Sequence, residues 1–102
     1  MAGNEGQKVV ILRKDMGLSH REIFASISTL AKEMPCRVSD MGATVEYDSG
    51  EIRIVLGPEG ERKLGLITLP RTSVSLEFRN LSKLQRGQFL ERFNIAFRRG
   101  GG

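Results

Sequence analysis

Apolar positions along this chain repeat every second residue in some stretches and every third or fourth in others, and the changes of spacing mark out its elements. Val9-Val10-Ile11-Leu12 is an unbroken apolar block between Lys8 and Arg13. Successive residues of a strand point to opposite faces, so the block predicts a strand buried on both sides or paired in the middle of a sheet. Lys14 to Leu18 reads as a loop. Ser19-His20-Arg21-Glu22 then forms a capping box, with the Ser19 hydroxyl serving the Glu22 amide and the Glu22 carboxylate serving the Ser19 amide. Ile23, Phe24, Ile27, Leu30, Ala31 and Met34 line one face of the helix that follows, and Pro35 ends it.

Beyond Pro35 the spacing falls to two. Cys36 and Val38 alternate with Arg37 and Ser39, and Asp40-Met41-Gly42 turns the chain. Ala43, Val45 and Tyr47 alternate with Thr44, Glu46 and Asp48, and Asp48-Ser49-Gly50 reverses it. Ile52, Ile54 and Leu56 make a further apolar face. Gly57-Pro58-Glu59-Gly60 reads as a turn that would present Glu59, Glu61, Arg62 and Lys63 at its tip. Between Leu64 and Leu69 the alternation slips at Leu66-Ile67, which predicts a bulge near Gly65 or burial on both faces. Pro70-Arg71-Thr72 turns again into Val74, Leu76 and Phe78. Ser82 and Gln85 repeat the capping box, and Phe89, Leu90, Phe93, Ala96 and Phe97 form the buried stripe of a second helix. Gly100-Gly101-Gly102 is expected to end it.

The order is β-α-β-β-β-β-α. Helical stripes need an apolar partner, and the inward residues of a sheet provide one. The expectation is an α+β fold: a two-layer sandwich of a mainly antiparallel sheet, four to five strands, with two helices packed on one face. Residues 1–7 are expected as a disordered lead-in, 8–99 as one domain and 100–102 as a flexible glycine tail.

Composition narrows the function classes. One hundred and two residues with 39% hydrophobic and 27% charged suit one small folded domain. Met1-Ala2-Gly3-Asn4-Glu5-Gly6 lacks the pattern of a signal peptide, no apolar run reaches membrane-spanning length, and a cytoplasmic location is expected. One Cys and one His exclude a disulfide framework and leave no zinc ligand set, so no metal or cofactor is expected. Asp40, Glu46, Asp48, Glu51, Glu59 and Glu61 are scattered and lack calcium-loop spacing.

The formal charge of +4 is unevenly placed. Residues 1–78 hold ten Lys or Arg and eleven Asp or Glu, a balance of −1. Residues 79–102 hold Arg79, Lys83, Arg86, Arg92, Arg98 and Arg99 against Glu91 alone, a balance of +5. These six cations are the candidate binding residues for an anionic partner, either a protein or a nucleic acid. The competing account is a solvated helix face whose last cations suit the helix dipole.

Candidate chemistry is sparse. His20 at a helix start, with Asp15 and Tyr47, would serve a small-molecule pocket between helix and sheet if the three converge. Cys36 falls on the apolar phase of its strand, as a core residue does. Ser19 and Ser82 are used as caps, and no catalytic residue is assigned.

Three resemblances carry implications. A helix, three strands and a second helix with basic surface, and Gly57-Pro58 between strands, resemble a double-stranded-RNA-binding domain, which implies RNA as partner. Ser82-Lys83-Leu84-Gln85-Arg86 departs from that family's Lys-Lys-x-x-Lys helix start. Arg98-Arg99-Gly100-Gly101-Gly102 resembles the tail of ubiquitin-like proteins and sulfur carriers, which implies a modified terminal glycine, although those families enter the tail from a strand. The whole layout with its Phe-Arg-Arg-Gly-Gly-Gly ending resembles short bacterial proteins of uncharacterised function. The expected function is a small non-enzymatic binding or regulatory domain that presents its second helix. Association of copies through an open sheet edge is a further expectation.

Overall fold

The structure, a computed structural model, describes residues 8–101, with the side chains of residues 99–101 outside the description. The expected lead-in, residues 1–7, and Gly102 of the expected tail also lie outside the described residues. The elements are β1 (Val9–Met16), α1 (His20–Leu30), β2 (Cys36–Ser39), β3 (Gly42–Tyr47), β4 (Gly50–Leu64), β5 (Ile67–Arg79) and α2 (Lys83–Gly101). This is the expected α+β order. The five strands form one antiparallel sheet, ordered β1-β5-β4-β3-β2, and both helices cover the same face of it.

Local chemistry starts both helices where the sequence places them. The Ser19 amide donates to Glu22 Oε1 at 2.8 Å and the Glu22 amide to Ser19 Oγ at 3.1 Å. Ser82 and Gln85 exchange the same two bonds at 2.8 and 3.1 Å. α1 stops at Leu30, short of Pro35, because the next amides reach back only three residues: Lys32 to Thr29 and Glu33 to Leu30. That tighter turn still delivers Met34 to the core.

The core is a set of cross-strand rows under two helical stripes. Val10, Phe78, Ile52 and Val45 form one row, and Leu12, Leu76, Ile54 and Ala43 the next. Ile23, Ile27 and Leu30 of α1 and Phe89, Phe93 and Phe97 of α2 close over them. Phe93 and Phe97 stack with centroids 4.0 Å apart, while Phe89 meets Phe78 and Tyr47 edge-on. Each buried side chain of this size is worth about 1.5–3 kcal/mol, so this face holds the fold together.

Three expectations are corrected. β1 runs on to Met16 and is an edge strand: its inner residues reach the core while Val9 and Ile11 stay exposed on the uncovered face. Gly57-Pro58-Glu59-Gly60 is no turn but part of β4. Between Leu56–Val74 and Glu59–Thr72, Gly57 and Pro58 stand opposite Ser73 alone, which makes a β-bulge. Pro70-Arg71-Thr72 is likewise continuous strand. The chain reverses instead at Gly65-Leu66, between the paired Leu64 and Ile67. Gly65 at φ +63° supplies the Gly-X order of a type II′ hairpin turn. Counting back from Leu64–Ile67, the Glu61–Pro70 pair falls on a non-hydrogen-bonded site. The proline nitrogen therefore points outward, where β1 no longer runs alongside, and no ladder bond is lost.

One long ribbon results. β4 and β5 extend past the last pair of β1, Met16–Thr72, and past the last pair of β3, Gly42–Val55. Residues 60–71 thus project as a two-stranded arm. The arm stretches the molecule to 56 × 27 × 25 Å and its radius of gyration to 14.6 Å, against about 13 Å for a compact chain of this length.

Candidate interaction surfaces

The six cations expected to act together do not share a surface. Arg79 is on β5 and points to the face away from the helices, where Glu51 Oε2 lies 3.9 Å from its Nε. The hollow it lines also holds Glu46, Asp48 and Glu51, so its surroundings are acidic. Arg86 turns back to donate to the Leu81 carbonyl at 3.0 Å, closing the loop before α2. Arg92 pairs with Glu33 and ties α2 to the turn after α1. Lys83 is exposed near the start of α2 and Arg98 near its end. Arg98 lines a shallow groove with Lys14, Asp15 and Met16. The side chain of Arg99 lies outside the described residues. Local sequence placed these charges in one segment; the fold sends three of the six to intramolecular partners.

The second candidate set separates further. Asp15 sits on the uncovered face and receives a forked pair from Arg71, with Nε 2.9 Å from both carboxylate oxygens and Nη2 2.6 Å from Oδ2. The Arg71 hydrogen bond, then the charges of Arg71 and Arg62, hold its carboxyl below the usual aspartate range. His20 lies on the helix side. Its Nε2 donates to the Gly57 carbonyl at 2.7 Å, and its backbone amide donates to Glu59 Oε1 at 2.7 Å. The Glu59 carboxylate therefore sits at the positive end of α1. Tyr47 is at the far end of the sheet, against Phe89. Asp15 and His20 brace the root of the arm from opposite faces, and the trio builds no common pocket.

Cys36 is half-buried against the core, and its thiol donates to the Met34 carbonyl at 3.4 Å. Burial raises its pKa, which keeps it a thiol rather than a thiolate nucleophile at neutral pH. Among the described residues, no three His, Cys, Asp or Glu side chains gather as a metal ligand set, and no helix is long and apolar enough to cross a membrane.

The arm is the surface that the sequence reading missed. Leu64, Leu66, Ile67 and Leu69 are all exposed at its end, Leu66 completely. Each leucine or isoleucine left in water forgoes about 1.5–3 kcal/mol of burial, and contiguous exposed aliphatics of this kind mark interaction surfaces. The slip in alternation at Leu66-Ile67 was the available signal. Read as a two-residue Gly-X turn rather than a bulge, it places Leu64 and Ile67 side by side on one face.

Comparison with known family models, with curated proteins and with solved structures finds none that matches this chain.

Proposed function

We propose that this chain is a non-enzymatic, cytoplasmic binding domain whose recognition element is the β4–β5 arm. One observation carries the proposal: four aliphatic side chains stand exposed at the end of a hairpin in which no residue from Gly60 to Arg71 is buried. A rigid two-stranded arm braced at its root by the Asp15–Arg71 pair and by His20 presents such a tip without ordering a loop on binding. The test is a photo-crosslinking side chain placed at Leu66 in cells, with parallel probes at Leu84 on α2 and Ser28 on α1. Adducts at position 66 that vanish with Ile67→Asp support the arm. Adducts confined to position 84 move the contact to α2.

α2 offers a second contact, to an anionic partner such as a nucleic acid. Lys83 and Arg98 carry it, because both are exposed and neither joins an ion pair among the described residues. The uncovered sheet face has no aromatic side chain for base stacking, which leaves phosphate contact as the mode. Binding of this kind weakens with salt and falls in Lys83→Ala and Arg98→Ala. Unchanged amide shifts of α2 on addition of RNA or DNA at low salt would remove it.

A further inference from the structure

We infer that the occupant of the arm is the surface of an anionic lipid bilayer, into which the tip inserts its aliphatic side chains while the cations behind them meet the headgroups. The inference rests on the arm being a recognition element.

Its first support is the order of side chains from the tip backwards. Leu66 stands fully exposed in the turn, and Leu64 and Ile67 pair directly behind it. Lys63–Thr68 and Arg62–Leu69 come next, then Glu61–Pro70. Aliphatic, basic and acidic residues thus succeed one another along the arm, as hydrocarbon, anionic headgroup and water do across a leaflet. Strand alternation sends Arg62 to the uncovered side of the ribbon and Lys63 to the other, so a cation flanks the tip on each side. Neither joins an ion pair among the described residues, whereas Arg37, Arg53, Arg71, Arg79 and Arg92 all face an acidic partner. Of the arm's acids, Glu61 lies behind both cations, and Glu59 at the root is already held by the His20 amide.

The second support is the backbone, which sets how deep the tip can go. Hydrocarbon offers no hydrogen bond to an open strand edge, so unpaired edge amides stay out of it. Leu64 and Ile67 close a two-residue hairpin and exchange both their bonds, so their backbone groups face one another. The first pair whose amides and carbonyls point outward is Lys63–Thr68, at the level of the cations. The tip can therefore seat as far as Leu64 and Ile67 with only the Gly65-Leu66 turn beyond them. That shallow seating, about 5–10 Å, is the depth reached by segments that lie in the membrane interface.

Composition separates a bilayer from a protein partner. Protein interfaces concentrate their binding energy in Trp, Tyr and Arg, with leucine under-represented, and engage about 20–30 residues a side. The end of the arm offers Leu64, Leu66, Ile67 and Leu69, no aromatic side chain, and no neighbouring element to widen the contact. Fluid hydrocarbon asks for apolar area alone. The arm also carries its tip along the 56 Å axis of the molecule, away from the acidic hollow of Glu46, Asp48 and Glu51 at the opposite end of the ribbon. Peripheral seating of this kind needs no membrane-spanning helix.

Flotation of the full chain with phosphatidylcholine vesicles, with and without phosphatidylserine, tests the inference. The expected result is salt-sensitive binding to the vesicles that contain phosphatidylserine. It falls more than about tenfold in Leu66→Asp and in Ile67→Asp, and about fivefold in Arg62→Ala and in Lys63→Ala. All four positions are exposed, and an unchanged far-ultraviolet spectrum shows that each variant keeps its fold. The chain has no tryptophan of its own, so Leu66→Trp reports the tip alone, and its emission shifts to the blue on these vesicles. Failure to float with phosphatidylserine vesicles overturns the inference, as does equal binding to pure phosphatidylcholine. If a crosslinker at Leu66 then captures a protein in cells, the arm survives as a recognition element and only the bilayer is lost; if it captures nothing, both readings fall. Vesicle binding that Leu66→Asp leaves intact and Lys83→Ala with Arg98→Ala abolishes also overturns the inference, since α2 would then be the contact.

Discussion

From Glu51 to Leu56, β4 pairs with six residues of β5 under two helices; from Glu59 to Leu64 it pairs with six more, and past the first of these, Glu59–Thr72 at the start of α1, no helix covers them. The two halves share antiparallel strand geometry, although the bulge between them shifts the register by one residue. In the body half Ile52, Ile54, Leu56, Val74, Leu76 and Phe78 are buried, while in the arm half Leu64, Ile67 and Leu69 are exposed. Alternation assigns a side chain to a face, but whether that face is covered depends on where the helices end. The body is built for stability and the arm for contact, so substitutions in the two halves should act on different quantities.

Backbone glycines give the sharpest contrast. Gly42, on β3 beside the body half, has φ +149°, and a Cβ there would overlap the Ile54 carbonyl. Gly42→Ala should therefore cost more than about 4 kcal/mol and leave little folded protein, as urea titration would show. A stable Gly42→Ala would mean that β3 and β4 can separate without unfolding the body.

Core truncation comes next. Phe93 is fully buried between Phe89 and Phe97, and Phe93→Ala should lower stability by about 3–5 kcal/mol in the same titration. Gly65 at the arm's tip has open space around it but φ +63°. Gly65→Ala should cost only about 1–2 kcal/mol, from the left-handed backbone alone. A loss as large as that of Gly42→Ala would show the arm to be part of the cooperative core.

The smallest effect lies at the arm's root. The Asp15 carboxyl titrates below its ordinary value because Arg71 holds it. A depressed folded pKa stabilises above the unfolded pKa and loses that contribution as pH falls through the folded one. Thermal midpoints of the wild type and Arg71→Ala should differ slightly at neutral pH and converge in acid. The pair is solvent-exposed, so added salt should shrink the difference. A gap that persists in acid would show that Arg71 braces the arm by packing rather than by charge.

Short-range order was legible in the sequence. The capping boxes at Ser19 and Ser82, the stripe on α1 as far as Leu30, the stripe on α2, the turns at Asp40-Met41 and Asp48-Ser49 and the element order stand in the structure as read. Each depends on contacts within a few residues or on one period of hydrophobicity. The corrections concern ambiguous local signals. Gly57-Pro58 suits a turn and a bulge equally well, and only the registers on either side, Leu56–Val74 and Glu59–Thr72, decide for the bulge.

The candidate site was less legible, for a related reason. Six cations within two dozen residues looked like one surface. A side chain's partner, though, is set by which elements pack together: Glu33 of the turn after α1 meets Arg92, and Glu51 of β4 meets Arg79. Val9, Ile11 and Ile67 lie in stretches whose pattern admits burial on two faces, yet the fold covers only one of them and leaves these three exposed. Sequence alone determined the order of the elements and where the helices start, because periodicity and capping are local. Tertiary structure alone decided which face the helices took and how far the β4–β5 ribbon outran them. Those follow from packing and strand register between distant residues, and they leave an apolar arm in water.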